Sequence, residues 1–255
     1  MTPGTDGDSL KTLSTAFEIV DAIQELDGAR VTELASHLDL PPSTVHGYLS
    51  TLRHNSYLVK EGDSYYVGLE FLNKGGYARS RKQGYALVED KVEQLAERTG
   101  ERVQFVVEEN GRGYYIYTAI GENAVEADAR AGKRIYLHDS SAGKSILAHL
   151  PEARVDEIID RWGLPEFTAE TITDRTELYD ELATVRERGF ALNREESHAG
   201  LRAVGAPVRH PARHVLGAFS LSGPSNRLKG EYFERELPDM ILGLTNEIEL
   251  NLSYL

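Results

Sequence analysis

The stretch LPPSTVHGYLSTLRHNSYLV, residues 40–59, decides the fold of the N-terminal part of the chain. Val45, Leu49 and Leu52 recur at helical spacing and turn toward an interior. Ser43, Thr44, His46, Gly47, Ser50, Thr51 and Arg53 take the outer face, and helical spacing lets Tyr48 contribute outward or pack inward beside Leu49. Pro41 and Pro42 open the helix, where an amide would lack a partner anyway. No acidic residue falls in the stretch, and apart from Gly47 its outer face carries small polar or basic side chains. Hydroxyls, imidazole and guanidinium donate to phosphate oxygens or base edges, so this is the form of a helix that reads a DNA groove.

Upstream, Leu13, Ala16, Phe17, Val20, Ile23 and Leu26 repeat at steps of three and four. They predict a first helix over 9–27 with one buried stripe, Ser9 or Thr12 as cap and Gly28 as stop. VTELASHLDL predicts a short second helix capped by Thr32, with Leu34, Ala35 and Leu38 inward. Two short helices in close succession behind a supporting helix make a helix-turn-helix. Downstream, SYLVKEGDSYYVG alternates and reverses at Glu61-Gly62-Asp63-Ser64, which predicts a β-hairpin wing.

The chain of 255 residues is longer than one core usually organises, so two domains are expected. Residues 1–10 read as a flexible tail, 11–70 as a winged helix-turn-helix, 71–90 as a linker helix and 91–255 as a second domain. The helical pattern over 69–99 is interrupted by Gly75-Gly76 and Gly84. Arg79, Arg81 and Lys82 on the linker fit either contact with a DNA backbone or a solvated face. The second domain alternates strands such as ERVQFVVEE, YYIYTAI, KRIYL, LRAVGAPVR and HVLGAFSLS with helices SAGKSILAHL, one starting at Pro151, and one capped by Thr173 and stopped by Gly189. A last helix spans about 230–252. Hairpin strands with intervening helices make this an α+β fold.

Composition narrows the function. There is no cysteine, which excludes disulfides, thiolate nucleophiles and cysteine-ligated metal centres. No apolar run of about 18 residues is present, so no membrane span is expected and the protein is read as cytoplasmic. The net charge is −13, and residues 1–75 hold five Lys and Arg against eleven Asp and Glu, a balance of −6. An acidic DNA-binding domain is consistent with a cytoplasm of high salt, where screening lengths fall to about 3 Å at 1 M.

Five blocks in order carry a resemblance to the IclR family of transcription regulators: PPSTVHGYLSTL, YYVGLEFLNKGG, LHDSSAGKSILAHLP, RTELYDELATVRERGFALNREESHAGLRAVGAPV and GAFSLSGPSNRL. The resemblance covers nearly the whole chain after residue 10. It implies an N-terminal winged helix-turn-helix, a dimerising linker helix and a C-terminal GAF-like domain that binds a small, often carboxylate-bearing metabolite. It further implies a homodimer or dimer of dimers on a palindromic double-stranded DNA operator. The DNA-binding candidates are Thr32, Ser43, Thr44, His46, Gly47, Tyr48, Thr51 and Arg53. At Gly47 the family pattern usually has arginine, so this helix lacks a cation where relatives contact DNA.

For the effector, the resemblance points to Ser141 and Ala142 at the start of a helix, Ser220 and Ser222 on a strand, an apolar wall of Ala124, Ala127 and Ile135, Val208 on a neighbouring strand, and Glu196 in a loop beside the pocket. Ser220 and Ser222 alternate to one face, where two hydroxyls suit a carboxylate or hydroxyl. Glu196 would repel an anionic effector unless protonated or paired, for example with Arg202.

Chemistry of other kinds is weaker. HDSSAGKS ends like a phosphate loop, but His138 stands where its first glycine belongs, so nucleotide hydrolysis is rejected. His138, Asp139 and Ser141 hold the residue types of a triad without a nucleophile elbow. His210 and His214 have ligand-like spacing but straddle Pro211, with no third ligand. No enzyme activity, metal or cofactor is expected. The competing reading is a GAF-like metabolite-binding enzyme or sensor whose winged helix makes protein contacts.

Overall fold

In the computed structural model, which describes residues 10–124, 130–210 and 214–254, the chain divides after Arg81 into two units. The first contains α1 (Lys11–Glu25), α2 (Val31–His37), α3 (Pro42–His54), the hairpin β1 (Leu58–Glu61) and β2 (Ser64–Val67), and α4 (Glu70–Ser80). Ile19, Ile23, Leu34, Val45, Leu49, Leu58 and Tyr65 form its core, and Ala29 bridges to Tyr65, tying the α1–α2 connection to the wing. The hairpin pairs Leu58 with Val67 and Glu61 with Ser64, turning at Gly62 in the left-handed region (φ 58°), a conformation that glycine adopts at little cost.

The buried face of α1 differs from the expected stripe. Thr15, Ile19, Val20, Ala22 and Ile23 are buried, whereas Leu13 and Phe17 are 56% and 63% exposed and Leu26 is also exposed. The helix carries two apolar faces, and contact with Leu34 and Leu49 selects one, which periodicity alone does not. The caps differ too. α1 follows Leu10 without a side-chain cap, Thr12 lies inside it, and Ser9 falls outside the described residues. Thr32 is the second residue of α2; the chain enters from Arg30, whose amide donates to Glu33 Oε2 at 2.7 Å. Gly75 and Gly76 lie within α4, and the helical run breaks instead at Arg81 and Lys82.

The second unit contains α5 (Gln83–Thr99), β3 (Arg102–Glu109), β4 (Arg112–Ile120), β5 (Arg134–Ile135), α6 (Ser141–Leu147), α7 (Glu152–Trp162), α8 (Arg175–Arg188), β6 (Ala191–Arg194), β7 (Leu201–Arg209), β8 (Val215–Pro224), a π-helical turn at Tyr232–Glu236 and α9 (Leu237–Leu252). Six antiparallel strands run in the order β5-β4-β3-β8-β7-β6. Alternate residues serve two cores. Val103, Phe105, Val204, Ala206, Phe219 and Leu221 pack against α5 and α9. Val106, Ala191 and Ala218 lie under α6, α7 and α8. The strand expected over KRIYL is only two residues long. The cap of α8 is Asp174 rather than Thr173: its carboxylate accepts from the amides of Thr176 (2.8 Å) and Glu177 (3.0 Å).

Candidate functional site

In α3 the polar positions point outward. Ser43, Thr44, His46, Gly47, Thr51 and Arg53 are exposed, as is Thr32 on α2, while Val45 and Leu49 anchor α3 from beneath. Tyr48 is half-buried against that core. Thr51 Oγ1 donates to the Gly47 carbonyl at 3.0 Å, a back-bond that occupies its proton and leaves the oxygen free to accept. A Cβ at Gly47 would meet nothing within 4 Å.

The second cluster lies on the sheet face under α6. A Cβ at Gly205 would come 2.5 Å from the Ser141 carbonyl carbon, so glycine is what lets the start of α6 rest on β7. Ser141 and Ser220 are thereby brought together, their hydroxyls 3.1 Å apart, and Ser145 Oγ donates to the Gly205 carbonyl at 3.0 Å. Ser222 continues the same face and accepts from Arg102 Nε at 3.2 Å. Gln104, beside it, satisfies its amide when its nitrogen donates to the Ser220 carbonyl (3.1 Å) and its oxygen accepts from Arg102 Nε (2.6 Å). Arg102 is 7% exposed, and burial holds its guanidinium below the usual arginine range. Arg102 Nη1 and, on the neighbouring strand, Thr118 Oγ1 are buried with no hydrogen-bond partner.

The structure does not bring all the effector candidates together. Ser141, Ala142, Ser220 and Ser222 share one region, and Ile135 packs half-buried in the core under α6. Val208 is on the other face of β7: it pairs with Gly217 while Gly205 pairs with Ser220, and the odd step sends it into the core beneath α5 and α9. Ala124 is half-buried just after β4, and Ala127 lies outside the described residues. Glu196 is buried but already committed. Lys144, itself buried, donates to its two carboxylate oxygens at 2.7 and 2.6 Å, so its partner is Lys144 rather than Arg202, which lies 3.5 Å from Glu195. Burial still raises Glu196 above the carboxylate range despite the adjacent ammonium.

These contacts account for the Gly-Lys-Ser run without a phosphate. Gly143 is required because a Cβ would run into the Leu137 backbone, Lys144 pairs with Glu196, and Ser145 bonds β7. The triad types do not form a relay either: His138 Nε2 bonds the Pro165 carbonyl at 3.1 Å and Ser141 bonds Ser220. Burial raises the Asp139 carboxyl to about 7, with Oδ1 lacking a partner. The rings of His210 and His214 stack with centroids 4.5 Å apart, and among the described residues no three His, Cys, Asp or Glu gather as metal ligands.

Arg102, Gln104 and Thr118 were not among the candidates read from sequence. A signal for two of them was present, since Arg102 and Gln104 alternate with Val103 and Phe105 in ERVQF and so share a face. What lies opposite that face depends on β8, more than a hundred residues away.

Residues 85–249 match the family described as bacterial transcriptional regulator IclR C-terminal, and residues 12–62 match the IclR helix-turn-helix domain. The chain is 36% identical over 93% of its length, and 92% of the relative's, to the probable HTH-type transcriptional regulator ArcR of Halobacterium salinarum. It is 27% identical to the transcriptional repressor IclR of Escherichia coli, across 94% of this chain and 89% of that one. The crystal structure of Thermotoga maritima IclR superposes with a TM-score of 0.78 at 28% identity, covering 96% of this chain and 99% of the other. No helix among the described residues is long and apolar enough to cross a membrane.

Proposed function

The chain belongs to the IclR family of transcriptional regulators and is a DNA-binding regulator with a C-terminal effector-binding domain; from that premise we propose how its two units divide the work. α3 enters the major groove of a palindromic operator, with Ser43, Thr44, His46 and Thr51 toward bases or phosphates and Arg53 on the backbone. The observation that carries this assignment is the outer face of α3, where hydroxyls, imidazole and guanidinium stand exposed over a fully buried Val45–Leu49 anchor with no carboxylate among them.

Two copies present paired recognition helices to half-sites about one helical turn, or a multiple, apart. A second copy also fits the apolar side chains that α1 and α4 leave exposed, Leu13 and Phe17 on one and Leu72 and Tyr77 on the other. A small organic or sugar-derived acid bound on the sheet face of the second unit, at Ser141, Ala142, Ser220 and Ser222, shifts the spacing or orientation of the recognition helices. The protein acts in the cytoplasm, where its DNA is, and does no chemistry on its ligand.

The test is a footprint on the promoter of a neighbouring operon with the wild-type chain, Thr44→Ala and His46→Ala. Each substitution should weaken protection without altering the fold. Protection unchanged in both would remove these residues from the DNA interface.

A further inference from the structure

The polar face under α6 holds one feature that the serine pair does not explain. Arg102 brings a cation into a buried position where no carboxylate faces it among the described residues, and the hydrogen bonds it makes there, to Ser222 and Gln104, both run through Nε. Its Nη1 is left without a partner. Thr118 sits directly opposite Gln104 across β3 and β4, and its hydroxyl is also orphaned. Buried charges are normally paired, and an isolated one costs several kcal/mol. By contrast, two buried carboxylates of this unit have counterions: Glu101 holds Arg227 at 2.7 Å, and Glu196 holds Lys144. Arg102 stands in the Ser222 row of this face and Thr118 in the Ser220 row beyond Gln104, so the unpartnered cation lies at the Ser222 end.

We propose that Arg102 is the anion-selecting group of the effector site, its guanidinium holding the carboxylate of a hydroxy- or keto-acid effector while an uncharged oxygen meets the Ser141–Ser220 hydroxyl pair. The proposal rests on reading this face as the effector site. Ser220 and Ser222 are two residues apart on β8, a separation of about 7 Å along the strand. The two ends differ in kind: the Ser141–Ser220 pair is neutral and both donates and accepts, whereas the Arg102 end only donates from nitrogen and carries charge. A ligand with carboxylates at both ends would leave one without a cation, because the other nearby ammonium, on Lys144, is occupied by Glu196. A neutral polyol would leave Arg102 uncompensated. One carboxylate and one hydroxyl or carbonyl oxygen match both ends.

The experiment uses the full-length chain and two readouts, thermal shift and isothermal titration. Glycolate, lactate, 4-hydroxybutyrate and gluconate are each paired with the corresponding uncharged amide, and wild type is compared with Arg102→Gln, Arg102→Lys and Ser220→Ala. The expected result is that at least one acid binds and its amide does not. Arg102→Gln then weakens that acid by about 10- to 100-fold, the worth of a charge-assisted hydrogen bond, with Arg102→Lys losing less. Removing a desolvated cation leaves no buried charge behind, so Arg102→Gln is expected to fold. Failure of all four acids to bind overturns the proposal. Binding that survives Arg102→Gln but is lost in Ser220→Ala also overturns it and leaves the serine face as the effector site. Binding indifferent to both substitutions overturns the placement of the site itself.

Discussion

Lys144 on α6 places its ammonium 2.6–2.7 Å from both carboxylate oxygens of Glu196, fifty-two residues further along the chain and buried with it. The pair ties α6, which carries Ser141, to the loop after β6, whose backbone is held in turn by Thr168 and Thr171 donating to the carbonyls of Glu195 and Glu196. Desolvation outweighs the attraction enough to raise Glu196, so breaking the pair leaves a carboxyl that cannot comfortably ionise.

Lys144→Met is accordingly expected to destabilise the second unit by about 3–5 kcal/mol, the usual cost of stranding one member of a buried pair. Lys144→Met with Glu196→Leu should recover most of that loss. Urea melts of the three proteins decide the matter; a single substitution with wild-type stability would mean the pair contributes nothing.

Asp139 predicts a pH dependence. Its folded pKa, raised by burial to about 7, lies above an unfolded value near 3.8, so the folded state binds more protons between them. Its contribution is therefore fully present below the unfolded pKa and is lost as the pH rises through about 7. Asp139→Asn should flatten this segment of the stability curve and raise the melting temperature at pH 8 relative to wild type. Parallel curves for the two proteins from pH 5 to 8 would refute the assignment.

Gly47 offers a gain-of-charge test. There is open space at its Cβ position, so Gly47→Arg should fit without a clash and strengthen α3 by about 1 kcal/mol. If the position faces phosphate, nonspecific DNA binding tightens, and the slope of log affinity against log salt steepens by about 0.9 per added contact. Filter binding across a salt series reads both, and an unchanged slope would count against a groove-facing Gly47.

The acidic balance predicts salt-dependent folding. With 41 acidic against 28 basic residues, self-repulsion should be screened by salt, and the urea midpoint should rise between dilute buffer and molar potassium chloride. DNA binding should persist at salt concentrations that dissociate a binder relying on counterion release. A protein most stable and tightest on DNA in dilute buffer would contradict this.

Residues 40–59 by themselves determined an amphipathic helix with a polar outer face, because Val45 and Leu49 set its inner face within a single element and a proline pair sets its start. Local periodicity likewise determined the wing, the strands of the second unit and the α+β class, since strand and helix repeats of two and 3.6 are properties of short segments. Only the tertiary structure decided which of the two apolar faces of α1 is buried, that Val208 turns away from Ser220, and that Glu196 belongs to Lys144. It alone set Arg102 beside Ser222, across 120 residues of sequence. The physical reason is the same in each case: a side chain's face follows from its neighbours along the chain, but its partner follows from strand register and helix packing, which bring distant segments together.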